Sequence, residues 1–305
     1  MKSIVVTDQT AGTAGMKLVD SPEPAAALND VVVQVYAASF TGDELTWPST
    51  WVDRAGQDRA PSIPGHEFAG VVSALGYGTT GLHVGQRVFG LTDWHRNGTL
   101  AEFVAVEARN LAQLPDDVDF NDGAALVMSG LTAWQGLFIH GQLAEGQRVL
   151  IHGAAGVVGS MAVQLARSAG AYVIGTGRAA SRQAALDFGA QEYIDLENEK
   201  LQGISGVDLV FDIFGGDVAT RSAALLLPGG KLVTIAGPTD AKPENGSVID
   251  FVVEANPAQL SEVVKQFREG RLRTNIGTVT MLDDAIATIN SSNPVKGKTI
   301  VRIHQ

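Results

Sequence analysis

Apolar positions fall in two regimes along this chain. Up to about residue 120 they come in short β-branched or alternating runs, and beyond it such runs are separated by stretches at helical spacing. Val31-Val32-Val33-Gln34-Val35-Tyr36 predicts a strand closed by small residues. Phe68–Ala74, Arg87–Gly90 and Ala101–Val106 predict further short strands between glycine turns. Leu45–Pro61, which holds Trp47, Trp51, two prolines and scattered charges, reads as a loop. Asp122–Ile139 carries apolar residues at helical spacing, with a break expected near Gly130.

A regular alternation follows. Val149-Leu150-Ile151 is a short apolar run that enters a glycine turn, and a helical segment with Met161, Val163, Leu165 and Ala166 comes next. Ala171–Gly175 predicts a second strand, and Ala180–Phe188 a helix stopped by Gly189. Glu192–Asp195 and Val207–Ile213 are strands, Asp217–Leu227 a helix closed by Pro228-Gly229-Gly230, and Lys231–Ala236 another strand. Val248–Val253 makes a sixth strand and Pro257–Glu269 a helix. Strands separated by helices of this length imply an α/β fold with a doubly wound parallel sheet. The tail ends in the alternating strand Thr299–Ile303 with no helix after it, which is expected to return to the N-terminal β-domain. The implied domains are residues 1–121 with 273–305, and residues 122–272.

The turn reads Gly153-Ala154-Ala155-Gly156-Val157-Val158-Gly159, with Ala154 where the standard dinucleotide fingerprint has glycine. Strand, tight turn and helix together aim a helix N-terminus at a pyrophosphate. Glycines suit the turn because a Cβ would block close approach of the phosphate, and of the helix to its strand. These seven residues are therefore the first cofactor-binding candidates. An acidic residue at the end of the second strand would bond the ribose 2′-hydroxyl of NAD. Here the strand ends Gly175-Thr176-Gly177-Arg178, and Arg182 follows one helical turn later. Gly177, Arg178 and Arg182 thus favour NADPH, whose 2′-phosphate pairs with guanidinium through charge-assisted bonds; the alternative is two solvated arginines. The loops Phe211–Gly216 and Thr234–Pro238 end later strands and should line the nicotinamide crevice, which adds Phe214, Ala236 and Gly237.

Composition narrows the chemistry. The 305 residues are 45% hydrophobic with a net charge of −11, so the chain can build a core and is unsuited to binding nucleic acid by bulk electrostatics. No cysteine is present, which excludes disulfides, thiolate catalysis and cysteine-ligated zinc. The N-terminal MKSIVVTDQT lacks the apolar stretch of roughly 7–15 residues of a secretory signal, and no stretch is long enough to span a membrane. A soluble, cytoplasmic protein is expected.

Ile63-Pro64-Gly65-His66-Glu67-Phe68-Ala69-Gly70-Val71-Val72, Gly130-Leu131-Thr132-Ala133-Trp134 and the glycine turn appear in this order, then Val207–Asp212, Pro228–Leu232 and Gly297-Lys298. In that set the chain resembles the medium-chain dehydrogenase/reductase superfamily, specifically its zinc-free quinone-oxidoreductase branch. The resemblance implies a GroES-like β-domain interrupted by a Rossmann nucleotide domain, an active site in the cleft between them, Thr132 at the cofactor and a homodimer paired through an edge strand at Val248–Val253. In the zinc-dependent members a Gly-His-Glu motif supplies a metal ligand, and their two cysteine ligands would align with Thr41 and Met128. Neither side chain is a normal zinc ligand and one histidine cannot hold the ion, so no metal is expected and His66 reads as structural.

Thr41 stands where the zinc-free branch usually has asparagine, so a polar role there competes with that of a plain strand-end threonine. Trp47 and Trp51 are the other acceptor-pocket candidates, with loop packing as the alternative. Asp212 reads as a strand-end residue satisfied by local backbone, with a general base as the alternative, while His83, His95 and His140 lack metal spacing. No side chain is assigned as the catalytic acid. The leading expectation is hydride transfer from NADPH to a quinone or other activated acceptor, with the proton coming from solvent. An enoyl or alkenal reductase on the same scaffold, and a low-turnover NADPH-binding sensor or structural protein, are the alternatives.

Overall fold

A computed structural model describes residues 1–199, 201, 204, 206–244, 246–293 and 295–304. The chain forms two compact units, one built from Met1–Met128, Glu254–Val264 and Thr274–Gln305, the other from Ser129–Val253 and Lys265–Arg273.

The first unit opens with the antiparallel pair β1 (Lys2–Val5) and β2 (Lys17–Asp20). Its main sheet uses β3 (Asp30–Ser39), β4 (Glu67–Leu75), β5 (Arg87–Leu91), β6 (Phe103–Glu107) and β7 (Leu111–Gln113). β3 is the hub, pairing antiparallel with both β4 and β6. Its alternate valines Val31, Val33 and Val35 are fully buried beside Phe68, Val88 and Leu100, which accounts for the β-branched run in the sequence. The segment read as a loop after β3 contains a short helix, α1 (Pro48–Trp51), started by Pro48.

The helical stretch α2 (Phe120–Trp134) passes through Gly130 without a break. Its irregularity comes later, as a π-helical turn over Gln135–His140 closed by the Gly141 amide on the Gly136 carbonyl at 2.9 Å. Gly136 lies flat against Phe211, where a Cβ would stand 2.2 Å from the ring. The irregularity falls at that approach, not at Gly130.

The second unit carries β8 (Arg148–Ile151), α3 (Val157–Ser168), β9 (Tyr172–Gly177), α4 (Arg182–Asp187), β10 (Glu192–Asp195), β11 (Val207–Asp212), α5 (Gly216–Ala223), β12 (Leu226–Thr234) and β13 (Ser247–Asp250). All six strands are parallel in the order β10-β9-β8-β11-β12-β13, so the winding reverses between β8 and β11. Helix α5 stops at Ala223, short of the expected Leu227. Pro228-Gly229-Gly230 lies inside β12, within its register shift against β11, and Gly229 there has φ +81. β13 ends at Asp250 and forms one edge of the sheet.

After α6 (Pro257–Arg268) the chain completes the first unit. β14 (Ile276–Met281) runs parallel to β15 (Lys298–Arg302), with α7 (Ala285–Ile289) between them, and β15 pairs antiparallel with β3. Among the described residues no helix is long and apolar enough to cross a membrane.

Candidate cofactor and acceptor sites

The glycine turn lies where the winding of the parallel sheet reverses. Gly153 has φ +61, and a Cβ there would meet Ile213 Cδ1 at 2.3 Å. A Cβ on Gly159 would strike the Gly153 carbonyl oxygen at 2.0 Å, so this glycine lets the first turn of α3 pack onto the loop. Ala154 is fully buried; its amide donates to the Thr176 carbonyl at 3.1 Å, and its methyl lies over Gly175, where a Cβ would be 2.7 Å away. That packing explains why alanine serves at a nominal glycine position. Gly156 is exposed at the N-cap of α3, and Ala155, Val157 and Val158 are half-buried beside it. Ser160 makes the first helical bond, to Gly156 at 2.9 Å, so the amides of Val157, Val158 and Gly159 stand ahead of the helical ladder. With the helix dipole they form an anion seat that fits a dinucleotide pyrophosphate.

The neighbouring strand ends rest on a buried polar network that sequence reasoning missed. His152, wholly buried just before Gly153, bonds Thr176 Oγ1 through Nδ1 at 2.7 Å and Ser222 Oγ through Nε2 at 2.8 Å. Ser222 gives its proton to the Val218 carbonyl at 2.8 Å, so Nε2 donates to Ser222 and Nδ1 accepts from Thr176. Burial pulls the His152 pKa down to about 4, which keeps this neutral tautomer. The only sequence signal was a histidine inside an apolar strand end.

Asp212 is satisfied as expected, accepting the Phe214 and Gly215 amides at 3.1 and 2.9 Å and the Thr234 hydroxyl at 2.7 Å. Thr234 in turn accepts the Ala236 amide at 3.1 Å, which fixes the loop carrying Gly237 at φ +90. Phe214 is 48% exposed, its ring 5.9 Å from that of His152, and Thr132 is buried in α2.

The two arginines part company. Arg178 is solvent-facing, with Nε 3.5 Å from Glu197 Oε1. Arg182 is bound to the next strand: Nη1 donates to the Tyr193 carbonyl at 2.7 Å, and Nη2 pairs with Glu199 at 2.5 Å. Gly177 leaves room for the Tyr193 hydroxyl, which a Cβ would meet at 2.5 Å.

In the β-unit, the three positions that would carry metal ligands in zinc enzymes do come together. Thr41 Oγ1 donates to Met128 Sδ at 3.7 Å. Buried Glu44 accepts the amides of Thr41 (3.2 Å) and Gly65, and Glu67 Oε2 accepts the Met128 amide at 2.8 Å, so the segments carrying Thr41, His66 and Met128 close on one another. Glu67 also takes the Ser39 hydroxyl and forms a buried ion pair with Lys298 Nζ at 2.5 Å. Burial pushes the Glu44 carboxyl up to about 8 against the opposing pull of its two amide donors. His66 is buried, with Nδ1 3.2 Å from Thr92 Oγ1, and its pKa is pulled down to about 4 by burial and then by Arg59.

A hydroxyl, a thioether and one imidazole are a poor set for zinc, which is bound in proteins by thiolate, imidazole and carboxylate. Among the described residues no group of three His, Asp or Glu is placed to hold a metal ion. This donor set does not fit the ion.

Two of the three acceptor-pocket candidates lie at this cluster. Trp47 is half-buried and stacks on His66 with ring centroids 5.9 Å apart. Trp94, absent from the sequence candidates, meets Trp47 edge-on at 5.4 Å and His66 at 4.8 Å. Trp51 is instead part of the β-unit core, its indole N–H donating to the Leu45 carbonyl at 2.8 Å, so its ring is a packing element.

These features define a protein of two units, a β-sheet unit and a doubly wound dinucleotide-binding unit. Family models agree with both: the alcohol dehydrogenase GroES-like domain matches residues 27–116, and the zinc-binding dehydrogenase domain matches residues 157–267. The quinone oxidoreductase of Coxiella burnetii superposes with a TM-score of 0.89 at 29% identity, covering 100% of this chain and 99% of its own. The spectinabilin polyketide synthase system protein NorB of Streptomyces orinoci is 35% identical over 68% of this chain and 10% of its own length. The quinone oxidoreductase of Pongo abelii is 31% identical over 63% of each protein. The chain thus spans less than two thirds of these curated relatives. It belongs to the medium-chain dehydrogenase/reductase superfamily, in its quinone-oxidoreductase-like branch.

Proposed function

We propose that the protein is a zinc-independent oxidoreductase that takes hydride from NADPH to a quinone or a related activated carbonyl or alkene. The observation that carries this reading is the Thr41, His66 and Met128 cluster, which occupies a metal position with side chains that cannot hold the metal. The similarity to quinone oxidoreductases supports the same reading. Bound NADPH would supply the hydride. The chain's own contribution is binding and orientation: the α3 N-terminus takes the pyrophosphate, Arg178 the 2′-phosphate, and the Asp212 network fixes the loops at Phe214 and Gly237.

On the acceptor side, Trp47 offers a flat ring and neutral His66 adds no charge to compete with the acceptor. The Thr41 hydroxyl, held among the described residues by a soft sulfur contact, can turn its proton to an acceptor oxygen. An activated acceptor needs little acid catalysis, so water can supply the proton. A homodimer paired along β13 completes the reading.

The test is NADPH consumption against ortho- and para-quinones and alkenals, together with NADP+ reduction by simple alcohols, each with and without a chelator. Turnover of quinones or alkenals that the chelator leaves unchanged is the expected result. Chelator-sensitive oxidation of simple alcohols would sink the zinc-independent reading, and tight NADPH binding without turnover on any acceptor would favour a sensor.

A further inference from the structure

The turn after β10 returns two carboxylates, Glu197 and Glu199, to the end of β9, where the sequence carries no acidic residue. They meet the arginines in different ways. Glu199 is fixed, since its Oε2 accepts the Asp195 amide at 3.0 Å while Oε1 pairs with Arg182 at 2.5 Å. Arg182 is held further by the Tyr193 carbonyl, and its guanidinium lies 5.2 Å over the Tyr193 ring. The Tyr193 hydroxyl donates to the Arg178 carbonyl at 2.8 Å, which ties the β9 terminus to β10. Arg178 itself keeps its guanidinium in solvent, 83% exposed, and Glu197, 62% exposed and 3.5 Å away, is its ion-pair partner among the described residues.

We propose that Glu197 is a specificity-determining residue that lets one site take both nicotinamide cofactors. Its carboxylate competes with a 2′-phosphate for Arg178, and in the absence of that phosphate it accepts the ribose 2′-hydroxyl. The inference rests on the NADPH reading above and deepens it. Phosphate can pair bidentately with guanidinium, whereas Glu197 makes a single exposed contact, so the phosphate displaces it. An unphosphorylated ribose gains nothing from Arg178 and is recognised by an acidic acceptor. Here the neighbouring turn supplies that acceptor. Arg182 takes no part in phosphate recognition and acts as a scaffold for the β9–β10 edge.

Dissociation constants of NADPH and NADH, read by nicotinamide fluorescence on wild type and three variants, test this directly. Glu197→Gln should tighten NADPH by about three- to fivefold and weaken NADH by a similar factor. Arg178→Ala should weaken NADPH about tenfold or more and leave NADH nearly unchanged. Arg182→Ala should leave the NADPH/NADH ratio unchanged while lowering the melting temperature. If Arg178→Ala abolishes an NADPH preference but Glu197→Gln moves neither cofactor, the competition is overturned and the NADPH reading stands. If wild type binds NADH more tightly and Arg178→Ala does not alter the ratio, the NADPH reading itself fails. A change of ratio in Arg182→Ala as large as in Arg178→Ala would overturn the division of roles between the arginines.

Discussion

His66 and His152 are buried imidazoles that the fold keeps neutral, in two separate units. Both have pKa values near 4 against 6.5 in the unfolded chain, so as pH falls from 6.5 toward 4 the unfolded chain takes up protons that the folded rings refuse. Stability is fully present above 6.5 and declines across that window, by about 2 kcal/mol from each ring at pH 5. Glu44 has the opposite sign: its carboxyl titrates near 8 when folded, so its contribution is present below 4.5 and lost as pH rises to 8. Urea midpoints should therefore fall between pH 7 and pH 5, and fall less in His66→Gln. Glu44→Gln should gain on wild type between pH 5 and 8. A midpoint gap between Glu44→Gln and wild type that stays constant over that range would show that the buried carboxyl does not control the high-pH limb. At this scale the sequence shows the residues of the glycine turn, because close packing of helix on strand leaves a local spacing of glycines. It does not show partners. Trp51 and Trp94 present the same indole, and only packing puts one in the core and the other beside His66.

Among the elements, β15 does more than close a sheet edge. Lys298 at its start reaches Glu67 at the start of β4, and both side chains are almost fully buried. A buried pair contributes little over a well-packed apolar pair, yet removing one member leaves an uncompensated charge. Lys298→Met should cost roughly 3–5 kcal/mol in urea unfolding, and adding Glu67→Gln should recover a clear part of that loss. A double variant no more stable than Lys298→Met would show that packing, not charge, is the dominant effect. The alternation of strands and helices is legible from periodicity, but irregular places are not. The π-helical turn at Gln135–His140 lies where Gly136 meets Phe211, more than seventy residues away, and Pro228-Gly229-Gly230 is the irregular stretch of β12 itself, at its register shift against β11, rather than the close of a helix.

For the whole molecule, the proposed dimer has a specific seat. β13 is one edge of the six-stranded sheet, and Val252 just beyond it is 71% exposed. An edge with exposed apolar surface beside it favours pairing with a second copy. Sedimentation should return a dimer, with Val252→Glu shifted toward monomer at micromolar concentration. A wild-type monomer at high concentration would remove the edge from consideration.

The β-unit draws on residues 1–128, 254–264 and 274–305, with the parallel sheet in the chain between the first two of these. On the ribosome, β8 to β13 can all pair before β15 exists. Until residue 298 has been made, β3 lacks β15 beside it and the Glu67 carboxylate lacks its lysine. The half of the protein synthesised first is therefore the half completed last.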